Sequence, residues 1–92
     1  MTDAEHMDEY SVVLARSARK ELERLGEPLL SHVLRRIEAL ALTPRPHGCR
    51  KLQGANNLWR IRIGDHRVLY SVDDAKHVVD VIAIRHRSDA YR

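Results

Sequence analysis

Leu58-Trp59-Arg60-Ile61-Arg62-Ile63-Gly64-Asp65-His66-Arg67-Val68-Leu69-Tyr70-Ser71-Val72 is the stretch that decides the fold. From Leu58 to Ile63 apolar and basic residues alternate, so an extended chain sets Trp59, Ile61 and Ile63 on one face and Arg60 and Arg62 on the other. Gly64-Asp65 reads as a turn. Arg67 to Val72 and His77 to Ile84 are rich in β-branched and other apolar residues, with Asp73-Asp74-Ala75-Lys76 as the hairpin tip between them. Three consecutive strands of this kind predict a meander.

Upstream the periodicity changes. Tyr10, Val12, Val13 and Leu14 form a short β-prone run, and Ser17 is placed to cap a helix whose apolar residues Ala18, Leu22 and Leu25 recur at helical spacing. Gly26 ends that helix. Pro28 suits the first turn of a second one, with Leu30, Val33, Leu34, Ile37, Leu40 and Ala41 on a single stripe. Thr43-Pro44-Arg45-Pro46-His47-Gly48 cannot continue a helix and reads as the start of a basic loop. The order strand, helical hairpin, three strands predicts an α+β fold: a mainly antiparallel sheet with both helices on one face. If the helices cover Trp59, Ile61 and Ile63, then Arg60 and Arg62 point from the uncovered face, where Arg67 joins them. Residues 1–9 read as a flexible acidic leader and 10–92 as one domain.

With 92 residues the chain has room for one modest core. No apolar run approaches the roughly 20 residues of a membrane span, and Asp3, Glu5, Asp8 and Glu9 stand where a signal peptide needs basic residues, so a cytoplasmic location is expected. Cys49 is the single cysteine, and no Cys or His pair has zinc-site spacing, so neither a disulfide nor a metal or other cofactor is expected. Glycine-rich phosphate loops, a nucleophile elbow and an apolar carboxylate pair are all missing. The net charge is only +3, yet between Thr43 and Tyr70 the basic residues Arg45, Arg50, Lys51, Arg60, Arg62 and Arg67 face Asp65 as the sole acid. Such a segment is either a solvated charged face or a surface for an anion.

The arginines favour the second reading once their positions are combined. Arg60, Arg62 and Arg67 are followed, after the last expected strand, by Arg85 and Arg87, and then by Tyr91. Guanidinium forks bind phosphate oxygens in pairs, and a cluster of them stabilises the extra negative charge of a pentacoordinate phosphorane. Tyr91 is placed either to stack on an unpaired base or to pack as a chain end, and spacing does not separate the two. Of the six histidines, His66 and His86 sit beside these arginines and are candidates for proton transfer near neutral pH.

From about Tyr10 onward the sequence resembles the RelE family of toxins from toxin–antitoxin pairs. The resemblance is carried by Ala15-Arg16-Ser17-Ala18-Arg19-Lys20-Glu21-Leu22, Arg50-Lys51-Leu52-Gln53-Gly54, the Trp59 to Tyr70 segment, and Arg85-His86-Arg87-Ser88-Asp89-Ala90-Tyr91-Arg92. It implies a ribosome-dependent endoribonuclease that cuts mRNA in the A site without a metal: the ribose 2′-OH attacks the adjacent phosphate, leaving a 2′,3′-cyclic phosphate and a 5′-OH. By the same resemblance Arg67 stabilises the transition-state phosphate, Arg85 serves the leaving oxygen, Tyr91 stacks on an mRNA base, and Lys51, Arg50 and Arg87 contact ribosomal or messenger RNA. Lys51 reads equally well as a solvated lysine.

Arg60 and Arg62 stand where well-known relatives carry lysines, one of them proposed as general base. A guanidinium with a pKa above about 12 does not readily take that role, so both are assigned to electrostatic stabilisation, leaving the base to His66, a ribosomal group or solvent. The resemblance also implies a cognate antitoxin, the ribosome and mRNA as partners, with a toxin–antitoxin heterotetramer among the assemblies open to it. ParE-like members of the same superfamily inhibit DNA gyrase without cutting RNA, and that is the alternative function.

Overall fold

In the computed structural model, which describes residues 9–54 and 57–88, the β-prone run becomes strand β1 (Ser11–Leu14) and Ala15 turns the chain directly into helix α1 (Arg16–Glu23). Ser17 does not cap that helix. It is already helical, and its hydroxyl donates to the Ile82 carbonyl at 3.3 Å. Gly26, at φ +72°, supplies the left-handed residue that ends α1. Helix α2 (Leu29–Glu38) starts immediately after Pro28, and the Glu27 carboxylate accepts from the Ser31 N–H at 3.1 Å and the Ser31 hydroxyl at 2.8 Å. A donor at the helix start is thereby satisfied. A 3₁₀ turn at Ala39–Ala41 carries Leu40 into the core.

The basic loop contains an element that the sequence did not reveal: a two-residue strand, β2 (Arg50–Lys51). It pairs antiparallel with β3 (Leu58–Ile63), setting Arg50 opposite Arg60 and Lys51 opposite Trp59. Two residues are too few to show an alternation, so only the neighbouring strand defines this one. After the Gly64-Asp65 turn come β4 (His66–Asp73) and β5 (Val78–His86), giving a five-stranded sheet of order β1-β5-β4-β3-β2. Only the β1–β5 pairing is parallel.

The last strand differs from expectation at both ends. It begins at Val78 because His77, with φ +55°, belongs to the turn, and it runs past Ile84 through His86. Arg85 is therefore a strand residue, not part of a tail after the strand. Its position is set by backbone pairing.

The helices lie on the face that the alternation required. Ala18, Leu22, Val33, Ile37 and Leu40 form one core with Ile61, Ile63, Val68, Tyr70, Val72, Val79, Val81 and Ile84, and among the described residues no charged side chain is buried. Beyond Val81 the outer side of β5 has lost its strand partner, since β1 pairing ends at Leu14 and the Ala15 N–H closes on the Val81 carbonyl at 2.8 Å. Side chains of α1 take over there: Ser17 serves the Ile82 carbonyl, and the Glu21 carboxylate accepts from the Ile84 N–H at 2.8 Å. Backbone groups that an absent strand would leave unpaired are thus satisfied from the helix.

The basic loop is tied down at several points. The Tyr70 hydroxyl donates to the Pro44 carbonyl at 2.7 Å, and Arg45 grips both oxygens of Asp74, at 3.2 and 2.8 Å, while lying 5.1 Å over the Trp59 ring. Tyr10 donates to the same carboxylate at 2.6 Å and stacks on His77. Arg45, and then Tyr10, hold the Asp74 carboxyl down to about 2. Arg45 is accordingly a structural cation. No helix among the described residues is long and apolar enough to cross a membrane.

Candidate functional site: an arginine row across three strands

Backbone register assembles the site. The β3–β4 pairing sets Arg62 opposite Arg67, and the β4–β5 pairing sets Arg67 opposite Arg85. Directly opposed residues have Cβ atoms roughly 5 Å apart, so three guanidinium stems share one row across the uncovered face. Arg60 lies two residues from Arg62 on the same face, with Arg50 opposite it.

A β-bulge is what brings Arg85 into that row. Pairing shifts between Leu69 and Tyr70: Tyr70 pairs with Val81 but Leu69 pairs with Ala83, leaving Ile82 without a partner. Continued without the shift, the Tyr70–Val81 register would set Ile84 opposite Arg67. The extra residue instead turns Ile84 into the core, at 4% exposure, and Arg85 to the arginine face.

The row is short of counter-charge. Among the described residues Arg50, Arg60, Arg62 and Arg67 form no ion pair. Burial, followed by the fields of Arg62, Arg67 and Arg50, lowers the pKa of Arg60 below that of an ordinary guanidinium. The Arg67 Nε is buried with no hydrogen-bond partner among the described residues. Like charges placed opposite one another weaken a sheet, so this arrangement is held against its own repulsion and is disposed to take up an anion. Arg62 and Arg67, with Gly64, Asp65, His66 and Arg87, also line a pocket of about 90 Å³ at the β3–β4 hairpin.

The other candidates are less centrally placed. Arg85 ion-pairs with Glu21 of α1. Arg87 donates its N–H to the Asp65 carbonyl at 2.7 Å, and its guanidinium lies 4.0 Å from the exposed Asp65 carboxylate, a pairing that contributes little. His66 and His86 are opposite each other with rings edge to face at 5.0 Å, and His86 Nδ1 is 2.9 Å from the Ser88 hydroxyl. Alternation puts both rings on the other side of the pleat from Arg67. Of the two, His66 borders the pocket because it sits next to the Gly64-Asp65 turn. Lys51 is exposed at the sheet edge, and Tyr91 lies outside the described residues. Glu21 enters the sequence reading only within the Ala15–Leu22 segment, with no role of its own, being one acid in an ordinary helical run.

Such a surface can bind phosphate through several paired donors and can stabilise charge that develops on it. The chain as a whole has known relatives. The family model described as ParE toxin of type II toxin-antitoxin system, parDE, matches residues 12–91. The chain is 33% identical over 85 residues to Toxin RelE of Mycobacterium tuberculosis, covering 90% of this chain and 87% of that protein. It is similar to the archaeal RelE–RelB complex from Pyrococcus horikoshii, with TM-score 0.76, 29% identity and coverage of 85% of this chain and 94% of the other. A second structural relative is the intact E. coli RelBE toxin–antitoxin complex, at TM-score 0.73, 26% identity and coverage of 84% and 95%. From the sequence match over nearly its whole length and from the shared fold, the chain belongs to the RelE/ParE toxins of type II toxin–antitoxin systems.

Proposed function

We propose that this toxin is a ribosome-dependent endoribonuclease that cuts mRNA in the A site, its arginines supplying the positive charge that the reaction needs. The observation that carries this reading is the row Arg62, Arg67 and Arg85, drawn from three strands and aligned in part by a bulge. In the proposed reaction the ribose 2′-OH attacks the neighbouring phosphorus, the phosphorane charge falls on Arg67 with Arg62 and Arg60 beside it, and Arg85 meets the departing 5′ oxygen. Products are a 2′,3′-cyclic phosphate and a 5′-OH. Arg50, Lys51 and Arg87 contact RNA phosphates, and Tyr91 stacks on a base. Proton removal falls to a ribosomal group, to solvent or to His66, which borders the same pocket as Arg62 and Arg67 from the turn. A cognate antitoxin holds the toxin inactive in the cytoplasm, a reading supported by relatives solved as RelE–RelB complexes.

The test is primer extension on a reporter mRNA with purified protein, with and without programmed ribosomes. Cuts that need ribosomes, and that fall about a hundredfold or more in the Arg67→Ala variant, are the expected result. The matching family model is that of ParE, which keeps gyrase inhibition as the second reading. Intact mRNA from protein that still arrests growth, together with blocked supercoiling by gyrase, would establish that reading instead.

A further inference from the structure

Among the described residues one carboxylate engages the arginine row, and it comes from the helix layer. Glu21 accepts the Ile84 N–H through Oε1 at 2.8 Å and the Arg85 guanidinium through Oε2. Its side chain is 22% exposed and that of Arg85 45%. An exposed arginine opposite another arginine would otherwise spread over many rotamers in solvent, driven by side-chain entropy and by repulsion from Arg67. A carboxylate with one oxygen pinned to a strand backbone cannot swing freely, so its second oxygen is a fixed post.

We propose that Glu21 is a positioning residue: it holds Arg85 through Nη1 and leaves Nε and Nη2 to meet the phosphate that Arg67 and Arg62 bind. The inference rests on the nuclease reading for its substrate, but the hold itself does not depend on it. A guanidinium has five N–H donors in a rigid plane, so fixing one nitrogen orients the others without exhausting them. The same carboxylate stands in for the missing strand beside Ile84, which couples the end of β5 to the arginine that it carries. α1 thus contributes to the site without touching substrate.

A merely structural role at Ile84 predicts something different, and Glu21→Gln separates the two. Glutamine keeps a carbonyl oxygen for the Ile84 N–H but loses the charge that grips Arg85. Ribosome-programmed cleavage by the full chain should show kcat about tenfold lower in Glu21→Gln, with KM and melting temperature close to wild type. In an Arg85→Ala background the same substitution should have no further effect. On the free protein, ¹⁵N spectra should show the Arg85 guanidinium in slow rotation in the wild type and in fast, averaged rotation in Glu21→Gln. Unchanged kcat, losses that multiply independently in the double variant, or an identical Arg85 signal would each overturn the proposal. If wild-type protein makes no cuts at all, the nuclease reading fails while the Arg85 signal still decides whether Glu21 holds it.

Discussion

Replacing Tyr70 with phenylalanine removes one oxygen from the fully buried ring that ties the basic loop to the sheet. The hydroxyl donates to the Pro44 carbonyl at 2.7 Å, and Pro44 is only half-buried, so water can reach that carbonyl once the hydroxyl is gone. The loss should therefore lie near the usual net value of a hydrogen bond, about 1 kcal/mol, without the larger penalty of an orphaned buried acceptor. For a domain of this size that lowers Tm by roughly 4–8 °C at neutral pH. Alkaline pH supplies a second arm. Burial, and then the neighbouring Cys49, push the Tyr70 hydroxyl well above its ordinary value. In the unfolded chain it ionises near ~10, so the unfolded state releases a proton that the folded state retains. Its contribution is complete below that pH and is lost as pH rises toward the folded value, at up to ~1.4 kcal/mol per pH unit. Phenylalanine has no such proton, so the gap between wild type and Tyr70→Phe should narrow above pH ~10 and close within about one further unit. Melts of both proteins from pH 7 to 11 measure this. A gap that stays constant across the range, or no gap at pH 7, would refute the argument.

Three further outcomes follow from the same geometry. Arg60→Lys places an ammonium in the burial and positive field that lower Arg60, so it should titrate below the ordinary lysine value of about 10.4 in an NMR titration; an ordinary value would mean that the arginines do not converge. Asp74, held at about 2, supports folding above its unfolded pKa of roughly 3.9 and loses that support as pH falls toward 2. The Tm difference between wild type and Asp74→Asn should accordingly be small, flat above pH ~5 and gone near pH 2, and a gap surviving at pH 2 counts against the Arg45–Asp74 pairing as its source. Arg62→Ala and Arg67→Ala should each reduce the slope of log affinity against log salt for single-stranded RNA by about 0.7, as read by anisotropy, whereas an unaltered slope would take that arginine off the phosphate.

What the sequence revealed was whatever depends on period. The alternation from Leu58 to Ile63 correctly separates Ile61 and Ile63 from Arg60 and Arg62, and the two helical stripes supply the buried face that the strands need. What it hid depends on neighbours in space. β2 exists only because β3 offers it an edge, and Ser17 turned from a cap into a partner for Ile82 because β1 ends too soon to reach that carbonyl. The bulge at Ile82 decides whether Arg85 or Ile84 meets Arg67, and nothing in Val-Ile-Ala-Ile marks it. The role of Glu21 was invisible for the same reason, since its two hydrogen bonds go to residues distant in the chain.

The parallel pairing of β1 with β5 also governs when this toxin can exist during its own synthesis. Ser11 must wait for Val78 before it has a hydrogen-bonding neighbour, and the sheet core between them is built from strands that emerge late. Contacts spanning most of a chain form slowly and together, not piecemeal. A nascent chain stopped before β5 lacks the strand that joins β1 to the meander, the third arginine of the row, and the backbone N–H that fixes Glu21. Folding and arming of the site are therefore one event, which leaves the ribosome making the toxin facing an incomplete sheet until β5 has emerged.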